Sequence, residues 1–236
     1  MIIELLKDNC IVANCISKRN EVMLVKDENG DLYILKKMSQ IQEQKYELEL
    51  LQLLHENGVA VPRIIEVWEN YILMEYIEGD LLLEVYEKTE LLETHAEEKT
   101  DNSIGEGLFN CGNKINQEMS SLIIEILFDW LEKFYQATRK YYGKQWILND
   151  VNFRNFIIQE KKIYGIDMEL CGPGVIEDDL GKMAAFAENY IPSNTEWKQG
   201  FVKLFIDSGI ERFHVDRDSV ELFYRKELNE IRKRRG

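Results

Sequence analysis

A change of periodicity near residue 79 constrains the fold of this chain more than any other feature of the sequence. Before it, short runs of β-branched, aromatic and apolar residues alternate with polar ones between turn signals, as is typical of strands. After it, apolar residues recur at helical spacing. The sequence therefore predicts an α+β fold, with a β-rich first half and a larger, mostly helical second half.

Five strands and one helix are predicted in the first half, in the order β-β-β-α-β-β. Three strands cover residues 9–16, 21–27 and 31–38, and the other two lie within 62–79. The helix follows Ser39, which can cap its N-terminus, and ends near Gly58.

The second half begins with a segment of weak pattern. Residues from Asp80 to Ser120 are acidic, polar and interrupted by glycine, which favours a mobile insertion or loop. Ordinary helix is predicted over residues 120–142, around 178–190, and from about Asp218 to the basic RKRR end.

Bulk composition limits the classes of partner. The 236 residues carry a net charge of −14, whereas a surface for an extended nucleic-acid backbone needs an excess of Lys and Arg. We therefore expect no nucleic-acid ligand. The acidity is compatible with a cationic substrate, and equally with a solubilising surface that carries no information about ligands.

Location and metal chemistry are constrained in the same way. Lys7, Asp8 and Asn9 break the N-terminal apolar run, and no segment approaches the roughly 20 apolar residues of a membrane helix. The 4 cysteines form no C-x-x-C pair and the 3 histidines stand far apart, which argues against structural zinc or a disulfide framework. We expect a cytoplasmic protein that does not associate with membranes.

Three polar side chains in the second half indicate a chemistry. Asp150 and Asn155 lie within WILNDVNFRNFII, between two apolar runs, and Asp167 follows the next apolar run in IDME. Phosphoryl transfer from a nucleotide requires a carboxylate that orients the acceptor hydroxyl, together with oxygen ligands for Mg²⁺. Asp150 fits the first role, and Asn155 and Asp167 fit the second. Taken alone, an Asp and Asn pair of this kind is more often a turn former.

These residues resemble the active-site motifs of a known superfamily. LNDVNFRN followed by IDME is similar to the catalytic loop and metal-binding segment of the protein-kinase-like superfamily, specifically its aminoglycoside phosphotransferase and choline kinase branch. That branch usually has H-G-D-x-x-x-x-N, then I-D-[FWM]-[ED], then a Gly and an Asp-Leu pair, here Gly174 and Asp179-Leu180. Asp179 is expected to cap the following helix or to hold the catalytic loop, without a catalytic role.

The first half supports the same resemblance. DLYILK is similar to the third strand of the superfamily, whose lysine, here Lys36, contacts the nucleotide phosphates, and Glu47 matches the helix residue that pairs with it. Lys37 competes for the role, but strand alternation lets only one of the two lysines face the cleft, and the family pattern favours Lys36. ILMEYIEG resembles the hinge, where backbone atoms near Glu75 and Ile77 are implied to bind adenine.

Two departures from the family pattern accompany the match. Leu148 and Asn149 stand where the branch usually has His and Gly, and the loop at residues 17–20 (SKRN) lacks the glycines of a loop that cradles phosphates. In addition, Asn152 stands where eukaryotic-type Ser/Thr protein kinases place a lysine, which argues against membership of the Ser/Thr protein kinases.

The resemblance implies three functions in order of preference. The first is an ATP- and Mg²⁺-dependent kinase for a hydroxyl of a small molecule, with residues 1–79 as the nucleotide-binding lobe including the hinge and residues 80–236 as a helical lobe. The second is a small atypical protein kinase of the RIO type, which acts on a protein partner. The third is a pseudokinase that binds nucleotide without turnover.

Overall fold

The structure is a computed structural model that describes residues 2–5, 10–15, 20–100 and 109–235. The helices of the described residues are α1 (Ile2–Leu5), α2 (Ile41–Glu56), α3 (Leu82–Thr100), α4 (Phe109–Tyr142), α5 (Ile176–Asn189), α6 (Glu196–Phe213) and α7 (Arg217–Arg235). The strands are β1 (Ile11–Cys15), β2 (Glu21–Lys26), β3 (Leu32–Lys37), β4 (Ile64–Trp68), β5 (Tyr71–Glu75), β6 (Asp80–Leu81), β7 (Trp146–Ile147), β8 (Phe156–Gln159), β9 (Lys162–Gly165) and β10 (Gly172–Pro173).

The first five strands form one antiparallel sheet with the spatial order β1-β2-β3-β5-β4. Leu35 of β3 lies on one face of this sheet, in a small core cluster that includes Ile2 of α1. Ile34 packs on the other face against the main core, which contains the apolar side of α2. Because side chains alternate along a strand, Lys36 shares the face of Ile34, and Lys37 shares the face of Leu35.

The fold class predicted from the sequence is confirmed, since an antiparallel sheet with one helix precedes a mostly helical part. The expected cap of α2 is wrong. The helix begins at Ile41 after Gln40, whose side chain makes no capping hydrogen bond. Ser39 instead donates its backbone amide to the Asn20 side-chain oxygen at 3.0 Å, so its position is set by a contact with the start of β2.

The prediction of a loop from Asp80 to Ser120 is wrong for residues 82–100 and 109–120, which belong to α3 and α4, and its residues 101–108 lie outside the described part of the chain. Leu82 and Tyr86 are buried one turn apart, and the acidic Glu90 is buried one turn further along the same face. A charged residue is rarely buried unless it is paired. Because Glu90 is charged, the sequence pattern did not indicate that this face of α3 is buried.

The helical part is built around α4, α5 and α6, whose apolar side chains belong to the main core. α7 lies so close to α5 that a Cβ atom on Gly181 would come within 2.6 Å of the Tyr224 backbone nitrogen. Two small sheets, β7 with β10 and β8 with β6 and β9, carry the connections that follow α4. No helix in the described part of the chain has the length and apolar character needed to cross a membrane.

Candidate active site

Asp179 in the first turn of α5 is fully buried and anchors the start of the candidate catalytic loop. Its carboxylate accepts hydrogen bonds from the backbone amides of Leu148 (2.8 Å) and Asn149 (3.0 Å) and from the hydroxyl of Tyr135 (3.0 Å). Burial raises the pKa of Asp179 to about 6, although these hydrogen bonds oppose the rise. Val175 is the N-cap of α5, so of the two roles expected for Asp179, holding the loop is the one observed.

The departure at Leu148 and Asn149 has a structural reason. Asn149 has a φ of 64°, which lies in the left-handed region. Glycine adopts this region readily, and Asn adopts it more often than most other residues do. Its side-chain amide also donates to the Leu170 carbonyl at 3.0 Å. Leu148 is buried in the main core. The pair therefore keeps a backbone conformation that a glycine would otherwise supply.

Asp150 and Asn155 are joined by the loop that they bracket. The Asn155 side-chain amide donates to the Asp150 carbonyl at 3.2 Å, and the Asn152 backbone amide donates to Asp150 Oδ1 at 3.3 Å. A short 3-10 helix, Phe153–Asn155, fills the interval between them. The chain thus turns back on itself within the Asp-x-x-x-x-Asn motif and presents both side chains from one loop.

The β8–β9 hairpin brings Asp167 next to this loop. Phe156 at the start of β8 pairs with Gly165 at the end of β9, so the residues that flank the hairpin also meet. The Ile166 amide donates to the Asn155 carbonyl at 3.0 Å. Asp167 follows directly, with a side chain that is 41% exposed. The two residues predicted to bind metal therefore lie at the same end of one hairpin.

Lys36 connects the N-terminal sheet with this segment. Its Nζ lies 2.8 Å from Glu47 Oε1 on α2, 2.8 Å from Glu169 Oε1, and 3.5 Å from Asp167 Oδ1. Burial alone would lower the pKa of Lys36, but the carboxylates of Glu47, Asp167 and Glu169 outweigh it and raise the pKa above its ordinary value. Lys36 is therefore a fully charged ammonium group between the N-terminal sheet and the segment that contains Asp167 and Glu169.

Lys37 takes a different position, as strand alternation requires. It pairs with Glu21 at 2.9 Å on the exposed surface of the sheet. The structure thus assigns the contact with Glu47 to Lys36 and leaves Lys37 in a solvated surface pair.

Glu47 depends on Lys36 for its charge. The carboxylate is 1% exposed, and burial raises its pKa to about 7 while Lys36 lowers it. Glu47 Oε2 has no hydrogen-bond partner within the described residues. A buried carboxylate is strongly unfavourable once the ammonium group paired with it is removed, so the two residues act as one unit.

Glu169, the last residue of the IDME motif, also belongs to this cluster, and so does Asn20, which the sequence did not indicate. The Asn20 side-chain amide donates to Glu169 Oε1, and its side-chain oxygen accepts from the Ser39 amide at 3.0 Å. Glu169 therefore joins Lys36 to Asn20, the last residue of the loop that lacks glycines. Residues 17–19 of that loop lie outside the described part of the chain.

The predicted adenine-binding segment begins at Glu75, the last residue of β5. The Glu75 amide donates to the Arg63 carbonyl at 2.9 Å, and the Glu75 carboxylate accepts from Arg63 Nε at 3.2 Å. The amide of Glu75 is thus already engaged within the sheet. Ile77 lies two residues further on and is buried.

Metal binding at this site would require ligands beyond the protein. No group of three or more His, Cys, Asp or Glu side chains among the described residues is arranged to hold a metal ion. Asn155 and Asp167 offer an amide and a carboxylate, which are hard oxygen donors of the kind that Mg²⁺ prefers. Mg²⁺ commonly completes its shell with nucleotide phosphates and water, so the donor set fits this ion.

Removing the Asp179 carboxylate is expected to destabilise the protein. Asp179→Ala leaves the amides of Leu148 and Asn149 without their acceptor and should lower the free energy of unfolding by about 3 kcal/mol. Tyr135→Phe is the matched control, because it removes one donor and leaves both loop amides bonded, and should cost about 1 kcal/mol. Urea denaturation of both variants tests this. Equal losses would contradict a special role for the loop contacts.

Comparison with known proteins supports the superfamily that the motifs resemble. A family model for the RIO domain matches residues 17–109, which is less than half of the chain. No curated protein sequence matches the chain significantly.

Solved structures were found that are similar to this chain. Amicoumacin kinase hAmiN in complex with AMP-PNP, Ca²⁺ and Ami has a TM-score of 0.53 and 14% identity, covering 89% of this chain and 75% of that one. The streptomycin–ATP–APH(2")-IIa ternary complex has a TM-score of 0.50 and 17% identity, covering 96% and 85%. Plasmodium vivax ethanolamine kinase reaches 0.47 and 14%, covering 92% and 70%. The first two establish that the chain has a protein-kinase-like fold, as the motif resemblance predicted.

Proposed function

We propose that this chain is a phosphotransferase that uses ATP and Mg²⁺ to phosphorylate a hydroxyl group of a small molecule. One observation carries the proposal. The buried Lys36–Glu47 pair of the N-terminal sheet and helix lies 3.5 Å, measured from Lys36 Nζ, from the Asp167 carboxylate of the helical part. A lysine for phosphates and a carboxylate for metal thus converge from two distant segments, as nucleotide phosphates with a bound Mg²⁺ require.

The nucleotide would lie between residues 1–79 and residues 80–236, which we propose as the two lobes. Lys36 would contact the α and β phosphates, and Glu47 would hold it in place. Adenine would bind to the backbone near Glu75 and Ile77. Since the Glu75 amide already donates to Arg63, the amide donor to adenine would be Ile77, with the Glu75 carbonyl as the neighbouring acceptor.

Asn155 and Asp167 would hold Mg²⁺, which neutralises negative charge on the phosphates when it is bound. The Asn155 side-chain nitrogen donates to the Asp150 carbonyl. This bond orients the amide so that its oxygen is the atom that a metal would contact. Asp167 would supply the charged ligand from the neighbouring segment.

Asp150 would orient the acceptor hydroxyl and take its proton. Its backbone is fixed by the loop contacts to Leu148 and Asn155, and Oδ1 accepts from the Asn152 amide. Positioning of this kind, rather than covalent chemistry, is what phosphoryl transfer asks of a protein. We place the enzyme in the cytoplasm. Cationic hydroxyl compounds are among the candidate acceptors, because the chain carries a net charge of −14.

The test is transfer of radiolabelled γ-phosphate from ATP to a panel of amino sugars, choline-like amines, nucleosides and simple sugars. Label on one panel compound, dependent on Mg²⁺ and abolished by EDTA, is the expected result. Label that appears on no compound while ATP is bound would contradict the small-molecule proposal.

A second candidate is a small atypical protein kinase that acts on a protein partner. The RIO domain match over residues 17–109 favours it. In the same experiment, label on the protein itself or on a co-purifying polypeptide would select this function. ATP binding with no transfer to any acceptor would instead indicate a nucleotide-binding module without turnover.

A further inference from the structure

Tyr190 is a buried tyrosine that lies outside the sequence motifs quoted above and contacts the candidate catalytic loop. The Tyr190 hydroxyl accepts a hydrogen bond from the Phe153 amide at 2.9 Å and donates one to Asn152 Oδ1 at 3.2 Å. Tyr190 is the residue that follows α5, and its side chain is buried. Both of its partners lie between Asp150 and Asn155, so one hydroxyl group contacts the middle of the loop.

These contacts stabilise the observed conformation of the loop. Asn152 Oδ1 also accepts from the Arg154 amide at 3.0 Å and caps the 3-10 helix Phe153–Asn155. That short helix sets the spacing between Asp150 and Asn155. Without the Tyr190 hydroxyl, the buried Phe153 amide would lose its acceptor, and a loop conformation that exposes this amide to water would become more favourable.

Tyr190 is itself held by a buried ammonium group. Lys198 on α6 is fully buried, and its Nζ donates to the Tyr190 carbonyl at 2.9 Å and to the Pro192 carbonyl. It also forms an ion pair with Glu90 Oε2 on α3 at 2.7 Å. A buried charge with three partners fixes the main chain around it, because moving any partner leaves the charge unsatisfied. Residues 190–192 therefore form a rigid support.

We propose that Tyr190 is a positioning residue, which sets the geometry of Asp150 through Asn152, whose amide donates to Asp150 Oδ1, without touching the reacting atoms. This inference rests on the proposed phosphotransferase function. Displacement of a reacting group by about 1 Å can reduce turnover by up to about 100-fold. Loss of the hydroxyl should therefore lower the rate of transfer and leave nucleotide binding at Lys36 unchanged.

Tyr86 provides a matched control. It is a fully buried tyrosine whose ring lies 5.4 Å from that of Phe153, centroid to centroid, and 6.0 Å from that of Tyr190. Its hydroxyl donates to the Ala187 carbonyl at 3.0 Å rather than to the loop. Tyr86→Phe thus removes a buried hydroxyl from the same core without removing a contact to residues 150–155.

The experiment compares kcat and KM for ATP, and the thermal midpoint, in wild type, Tyr190→Phe and Tyr86→Phe, with the panel acceptor that gives the highest Mg²⁺-dependent ADP release. Tyr190→Phe should lower kcat by about tenfold at an unchanged KM for ATP. Both variants lose one buried hydroxyl group and should lower the thermal midpoint by similar amounts. Tyr86→Phe should leave kcat within about twofold of wild type. Asn152→Ala combined with Tyr190→Phe should be less than additive, since both remove the same contact.

Three outcomes would overturn the inference. Unchanged kcat in Tyr190→Phe would show that Tyr190 has no positioning role. Equal loss of kcat in the two Phe variants would show that the effect comes from a less stable core. Full additivity with Asn152→Ala would show that Tyr190 does not act through that residue. Failure of the proposed function is distinguishable, because wild type itself would then release no ADP in response to any acceptor.

Discussion

Replacing Lys36 with methionine is expected to lower Mg²⁺-dependent ATP turnover by at least about 100-fold. Methionine keeps most of the length of the buried side chain and removes only the ammonium group. Lys36 Nζ contacts Glu47, Glu169 and Asp167, so the variant would lose the positive charge at the point where the proposed phosphates lie. Weakened nucleotide binding and slower transfer are both expected from this loss.

Lys37→Met is the control that the chain itself offers. Lys37 is the next residue of the same strand and pairs with Glu21 on the exposed surface. An exposed pair of this kind contributes little to stability, so turnover should remain within about twofold of wild type. Steady-state ADP release measures both variants. Equal activity in Lys36→Met and Lys37→Met would remove Lys36 from the site.

Replacing Asp150 with alanine is expected to lower phosphoryl transfer by about 1,000-fold, which lies within the range typical for a positioned general acid or base. Nucleotide affinity should stay close to that of wild type, because no contact joins Asp150 to Lys36 or Asp167 among the described residues. Single-turnover transfer and nucleotide titration separate the two effects. Asp150→Asn is the second variant, since its side-chain oxygen can still accept from the Asn152 amide.

The pair of Asp150 variants distinguishes chemistry from loop structure. If the carboxylate takes the proton of the acceptor, Asp150→Asn should be nearly as impaired as Asp150→Ala, although the loop contact is kept. Recovery of activity in Asp150→Asn would mean that the side chain acts by holding the loop. Unchanged transfer in Asp150→Ala would exclude it as the base.

The fold could be predicted because local signals suffice for it. The alternation of β2, β3 and β5 and the helical spacing of α4 are visible within short windows of the sequence. α3 was missed because its inward face includes Glu90, whose partner Lys198 lies 108 positions further along the chain. Local sequence patterns do not predict a buried ion pair between two helices that are so far apart in sequence.

Local signals predicted some residues of the candidate site and missed others. Lys36 could be distinguished from Lys37 because strand alternation sends neighbouring side chains to opposite faces and the family pattern favours Lys36. The contact between Asn20 and Glu169 joins residues 149 positions apart. The support of Asn152 by Tyr190 joins segments on either side of the β8–β9 hairpin. Such contacts depend on tertiary packing, and polar residues of these types are usually solvated, so the sequence alone favours the wrong reading.

The most direct test of the central claim is the Mg²⁺ dependence of AMP-PNP binding, measured by isothermal titration calorimetry in wild type and Asp167→Asn. If Asn155 and Asp167 hold Mg²⁺ beside the phosphates at Lys36, Mg²⁺ should strengthen binding to wild type by at least about tenfold, equivalent to about 1.4 kcal/mol. The same addition should have little effect on Asp167→Asn. An equal response of both proteins to Mg²⁺, or no nucleotide binding by wild type, would contradict a Mg²⁺–ATP site at these residues.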